Sequence, residues 1–201
     1  MAINDTTVIL DAGHGKQTAG KCSPDGKLKE YAWNREIAKR IEQELKSKGY
    51  DAQRIVTEDT DISLSERCRR ANAICKTHGT KNCVFISVHI NAAGGDNKWH
   101  DARGWSGWVG RNSSSNSKKL AQILYAEAER KGLKGNRSVP ACKYWEAAFT
   151  VLTKTLCPAV LTENLFQDNS ADVEYLLSEE GKKAIVDLHV NGLIQYINSL
   201  K

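Results

Sequence analysis

Short apolar runs alternate along the chain with longer amphipathic stretches. Residues 8–15, VILDAGHG, are apolar until an acid and a Gly-His-Gly turn, the pattern of a buried strand that leaves through a loop. After the polar loop KQTAGKCSPDGK, Ile37, Ile41 and Leu45 recur every four residues in LKEYAWNREIAKRIEQELKSKGY. That spacing predicts an amphipathic helix closed by Gly49. DAQRIVT predicts a second strand, and Ser63 or Ser65 is placed to cap a helix through SERCRRANAICKTHG. CVFISVHI is the clearest strand; GWSGWVG and PAVLTENL predict two more, with a helix in SNSKKLAQILYAEAERKG between them. The C-terminal part predicts helices in ADVEYLLS and EEGKKAIVDLHVNGLIQYINSL. Strands alternating with helices imply an α/β fold: a single domain with a mostly parallel, twisted sheet of about six strands and helices on both faces.

Composition narrows the class without changing that picture. The length of 201 residues suits one domain over 1–201, with its core at about 6–199. Charged residues at 26% and hydrophobic ones at 40% are ordinary for a soluble globular chain. The net charge of +5 is mild, and the basic residues are scattered over helix faces rather than interleaved with aromatics, so no nucleic-acid partner is expected. Six cysteines occur without a C-x-x-C pair, which argues against a zinc ribbon or a thioredoxin-type centre. Cys83 and Cys157 lie in or beside apolar runs and read as buried thiols. No apolar stretch nears the roughly 18 residues a membrane helix needs, so no stable membrane insertion is expected. Met1 and AINDTT lack the features of a signal peptide, so the chain is expected to be made in the cytoplasm unless a signal has been removed.

Three strand ends carry candidate chemistry. VILDAGHG delivers His14, CVFISVH delivers His89 followed by Asn91, and PAVLTE delivers Glu163 followed by Asn164. In open α/β sheets, groups at the carboxyl ends of strands converge on one rim. Two histidines and a carboxylate form the protein ligand set of many catalytic zinc sites, which leave a fourth position open. Glu30 starts the first helix, where a metal ligand and a plain first-turn glutamate fit equally well. GKQTAGKC also fits most of a phosphate-binding G-x-x-x-x-G-K loop. Cys22 replaces the required hydroxyl, however, and Pro24, Asp25 and Gly26 stand where the helix should begin. His78, His100 and His189 carry no partner pattern and read as surface or packing residues; Trp99, Trp105, Trp108 and Trp145 read as core or rim packing.

From about Val8 to Ile197 the chain resembles the zinc-dependent N-acetylmuramoyl-L-alanine amidases of the amidase-3 type, found among autolysins and phage lysins. VILDAGHG, KEYAWNREIAKRIEQEL, ISVHINA and PAVLTENLFQDN resemble the family's four site motifs in order, and DISLSERCRRAN resembles the stretch after its second strand. The resemblance implies Zn²⁺ bound by His14, Glu30 and His89, with Glu163 catalytic. It implies cleavage of the amide between the lactyl group of N-acetylmuramic acid and L-alanine of the peptidoglycan stem. Asp11 and Asn91 would then be partners for the histidines or contacts for substrate, since zinc-bound imidazoles donate their other N–H. A monomer acting on peptidoglycan is expected, with no separate wall-binding domain, reaching the wall as a released lysin or by export.

Three departures from the family stand out. Thr57 and Glu58 replace a common Thr-Arg, leaving a local ion pair in doubt. Leu165 stands where glycine is more usual, which bears on the local turn. The stretch AAGGDNKWHDAR at 92–103 is long and polar and is expected to shape substrate access. No long autoinhibitory helix is recognisable, so an open cleft is expected. Two other readings compete: another zinc peptidoglycan peptidase or carboxypeptidase, which would more typically carry an H-x-x-E pair near His14, and an inactive peptidoglycan-binding module, which should lack one of the four site residues.

Overall fold

The computed structural model describes residues 5–200. Strands β1 (Thr7–Ala12), β2 (Asp51–Arg54), β3 (Cys83–Asn91), β4 (Ser106–Gly110), β5 (Trp145–Ala147) and β6 (Ala159–Phe166) form one sheet in the order β2-β1-β3-β6-β4-β5. The first four in that order run parallel, β4 turns antiparallel to β6, and β5 runs parallel to β4. The expected six-stranded, mostly parallel architecture is the observed one.

Helices α1 (Glu30–Ser47), α3 (Ser115–Arg130) and α6 (Glu179–Asn198) cover one face, while α2 (Leu64–His78) and the single turn α4 (Thr150–Thr153) cover the other. The Ile37, Ile41 and Leu45 stripe of α1 is fully buried, worth about 1.5–3 kcal/mol per side chain in apolar surface removed from water. Ser63 caps α2 by accepting a hydrogen bond from the Glu66 amide, which settles the choice against Ser65. Asn169 and Ser178 cap α5 (Ser170–Leu177) and α6 in the same way.

The sequence pattern does not predict β5 or α4, nor the single 3-10 turn at Thr80–Asn82. β5 has three residues, too few for a periodic signal, and is held by the pairing of Trp145 with Trp108. The turn α4 is likewise too short to be read from periodicity. The stretch DAQRIVT yields only a four-residue strand, after which Ile55 still donates to the Leu10 carbonyl and then packs, with Val56, against the α2 face.

The chain passes from β1 outward to β2 and then returns to place β3 on the other side of β1. The carboxyl ends of β1 and β3 therefore flank a switch in strand order, where open α/β sheets gather ligands.

Candidate metal centre

His14, Glu30 and His89 come together at that rim, with one ligand atom from each lying within 4.8 Å of the others. The His14 Nε2 to Glu30 Oε1 distance is 3.4 Å and the His89 Nδ1 to Glu30 Oε1 distance is 3.3 Å. A tetrahedral ion with bonds of about 2.0–2.1 Å has ligand edges of roughly 3.3 Å, and the two edges that meet at Glu30 match that spacing. Glu30 is fully buried and its Oε2 has no hydrogen-bond partner. Such a buried carboxylate calls for cationic company, and the Lys21 ammonium at 3.9 Å supplies only part of it.

The sequence builds each position differently. Gly13 and Gly15 serve close approach: a Cβ on Gly13 would come within 2.1 Å of the His89 ring, and one on Gly15 within 2.1 Å of the Asp61 amide. Between them His14 takes a left-handed φ of 60°, which costs about 1–2 kcal/mol for a non-glycine residue. Two guanidiniums clamp that turn. Arg35 donates to the carbonyls of Ala12, Gly13 and His14, the last at 2.6 Å. Arg67 donates to the Ala12 carbonyl at 2.6 Å and to that of His14 at 3.0 Å.

Glu30 opens α1 without a side-chain cap before it, its amide donating instead to the Lys21 carbonyl across a bridge between Cys22 and Lys29. The loop that resembled a phosphate cradle thus turns back on itself and presents Lys21 to Glu30. The Glu30 side chain, in the first turn of α1, points into the rim and accepts from the Ile90 amide at 3.0 Å.

Glu163 lies directly across from His89 in the β3–β6 register, and paired residues on neighbouring strands share a face of the sheet. Its Oε2 is buried without a partner. Burial lifts its pKa to about 7, with the His89 charge opposing and the Glu30 charge adding to the rise. Burial likewise pulls His14 down to about 4 despite the Glu30 charge, favouring the neutral imidazole that a metal requires. At His89 burial also pulls down, but the hydrogen bond to Glu30 and the charges of Glu163 and Glu30 outweigh it and raise the ring's pKa.

Several expectations need correction. Asp11 does not hold a histidine; its carboxylate accepts from Arg67 and from the Ser87 hydroxyl, both at 2.6 Å. It therefore acts on His14 at one remove, by fixing the arginine that clamps the turn. Asn91 is also no histidine partner, since its Oδ1 accepts from the adjacent Ala92 amide. The residue that does fix the β3 end is Asn164, which donates to the His89 carbonyl at 2.9 Å and accepts from the indole of buried Trp105. Glu58 does form an ion pair, with Arg70 at 2.8 Å.

The 92–103 segment does not wall the cavity at the site. Asp168 pins it through the amides of Ala93 and Gly94, while the His100 amide donates to the Asp168 carbonyl. The site opens into a cavity of about 650 Å³, bounded by His14, His89, Glu163 and Lys21 and by an apolar shelf of Ile62, Leu64, Phe149, Val151 and Leu161. The shelf comes from β6 at Leu161, from the approach to and start of α2, and from Phe149 and α4, the segment that periodicity missed.

Arg67, Arg35 and Lys21 went unassigned in the sequence. Arg67 stands beside Arg69 and Arg70 in SERCRRAN, and only burial separates it from its two surface neighbours. Of the remaining histidines, His189 is fully buried, His78 meets the Thr7 hydroxyl and His100 pairs with Asp96. Trp105 is buried, Trp108 and Trp145 stack at the rim, and Trp99 is exposed. Cys83 and Cys157 are buried thiols as expected, and all six cysteines are free.

An α/β sheet with a His-Glu-His cluster and an isolated carboxylate at one rim defines a candidate metallohydrolase. Residues 8–195 match the family model described as N-acetylmuramoyl-L-alanine amidase, and the chain belongs to that family. It is 31% identical over 196 residues to an endolysin of Bacillus phage SPP1, covering 96% of this chain and 67% of that protein. It is 28% identical to the N-acetylmuramoyl-L-alanine amidase CwlM of Bacillus licheniformis, covering 96% and 70% of the two chains. The crystal structure of the N-acetylmuramoyl-L-alanine amidase from Clostridium difficile 630 superposes with a TM-score of 0.84 at 26% identity, over 98% of this chain and all of that one.

Proposed function

We propose that this amidase hydrolyses the bond between the lactyl group of N-acetylmuramic acid and L-alanine of the peptidoglycan stem, using zinc held by His14, Glu30 and His89. Glu163 serves as the acid and base of the reaction, and residues 6–199 act as one catalytic unit. The observation that carries this reading is the closeness of three ligand atoms, all within 4.8 Å, beside a buried carboxyl raised to about 7.

When bound, zinc supplies Lewis acidity toward the scissile carbonyl and the attacking water. The chain's own groups do the rest. The partnerless Oε2 of Glu163 accepts the proton of the attacking water and returns it to the leaving amine of alanine. A carboxyl with a pKa near 7 suits both halves of that task at neutral pH. The apolar shelf lowers the polarity around Glu163 and so helps to hold its pKa up. Arg35 and Arg67 keep His14 oriented through its carbonyl.

Metal analysis tests the centre. Purified protein is expected to carry about one zinc per chain, with chelation abolishing release of wall material and zinc restoring it. Absence of bound zinc together with activity indifferent to chelator would remove the metal from the account.

A further inference from the structure

Beyond Glu163 the rim carries a cation that the mechanism leaves unused. Arg137 is half-buried, with its guanidinium 5.0 Å from the centre of the Trp145 ring and 5.2 Å from that of Phe166. Among the described residues it forms no ion pair, although the surface is otherwise rich in paired arginines such as Arg40, Arg54 and Arg70.

Its support is rigid. The preceding Gly135 approaches the Arg103 carbonyl so closely that a Cβ would lie 2.0 Å from it. Asn136 exchanges hydrogen bonds with Arg103 through both its amide and its side-chain oxygen, and its Nδ2 donates to the Asp101 carbonyl. Trp145 is in turn packed against Trp108 and Tyr125. A planar cation held on aromatic faces loses little side-chain freedom when it binds, and its fork of N–H donors matches a carboxylate.

We propose that Arg137 is a specificity-determining residue that binds a carboxylate of the stem peptide on the leaving-group side of Glu163. The proposal rests on the amidase reading above. Glu163 delivers its proton to the alanine amine, so the stem leaves from its side of the site, and the Arg137 cradle stands at that same edge of the sheet: Phe166 ends the strand that carries Glu163, and Trp145 begins β5. The nearest ionisable group of the stem beyond alanine is the α-carboxylate of the γ-linked glutamyl residue. In some walls that group is a carboxamide, which is neutral and cannot form a charge-assisted pair.

The test uses the full chain loaded with zinc and two disaccharide-peptides that differ only in carboxylate or carboxamide at the second stem residue. The wild-type enzyme is expected to favour the carboxylate by about 10-fold or more in kcat/KM, the scale of one charge-assisted pair. In Arg137→Ala that preference should collapse toward one, the loss falling on KM. Arg137→Lys should retain part of it. No preference in the wild type, or a preference that survives in a folded Arg137→Ala protein, would overturn the proposal while leaving the amidase reading intact. Failure of the zinc-loaded wild-type enzyme to cleave either compound, or polymeric peptidoglycan, would instead overturn the amidase reading and this proposal with it.

Discussion

In the proposed reaction Glu163 is the group on which hydrolysis turns, and its chemistry would follow from its position. A carboxyl paired in register with His89, buried and without a partner on Oε2, can hold or release a proton near neutral pH. Glu163→Gln keeps the shape and removes the proton exchange. It is expected to retain zinc while wall hydrolysis falls by at least ~100-fold. Near-normal release of muropeptides by that variant would reassign the acid and base. At this scale the sequence was readable where a residue ended an apolar strand, as at His14, His89 and Glu163. It was not readable where a side chain acts through others: the sequence leaves Asp11 open as a histidine partner or a substrate contact, and the carboxylate instead braces Arg67, a contact across 56 residues that no local pattern reveals. Leu165 departs from the usual glycine and still adopts a left-handed φ of 65°, next to the register shift between His89 and Asn91. Its side chain is buried, and that burial offsets the backbone strain.

Elements explain why the site is held where it is. The stripe on α1 and the runs of β1, β3 and β6 were legible because burial imposes period and composition on them. β5 and α4 were not, being too short for periodicity and stabilised by tertiary contacts such as Trp108 with Phe149. The long C-terminal helix α6 also locks β6 from behind the site. The His189 ring donates from Nδ1 to the Ile185 carbonyl at 2.8 Å and accepts at Nε2 from the Thr162 hydroxyl at 3.0 Å, one residue from Glu163. Burial lowers its pKa to about 4, with the hydrogen bond to Ile185 opposing. Unfolded, the same ring titrates near 6.5, so as pH falls from about 6.5 toward 4 the unfolded chain binds the proton first and the fold loses stability. Between pH 7 and 4.5 the wild type should lose about 2 kcal/mol more than His189→Gln. Denaturant titrations across that range measure it, and parallel profiles for the two proteins would show that the ring does not titrate as described.

For the whole molecule, the order of strands matters more than any one of them. The switch in strand order falls between the paired strands β1 and β3, β6 lies beside β3, and the rim they share collects two histidines, a glutamate from the start of α1 and the isolated Glu163. Alternation of strand and helix made that architecture legible, and the strand ends made the rim legible. The cavity walls were not, because Ile62, Leu64 and Phe149 come from segments whose placement depends on the fold. Among the described residues no helix is long and apolar enough to cross a membrane. The bond that is cut defines the enzyme. Mass spectrometry of purified peptidoglycan digested by the zinc-loaded protein is expected to show intact stem peptides with a free alanine amino terminus and glycan strands with free lactyl carboxyl groups. Stems that remain attached to glycan and lose only terminal amino acids would contradict it.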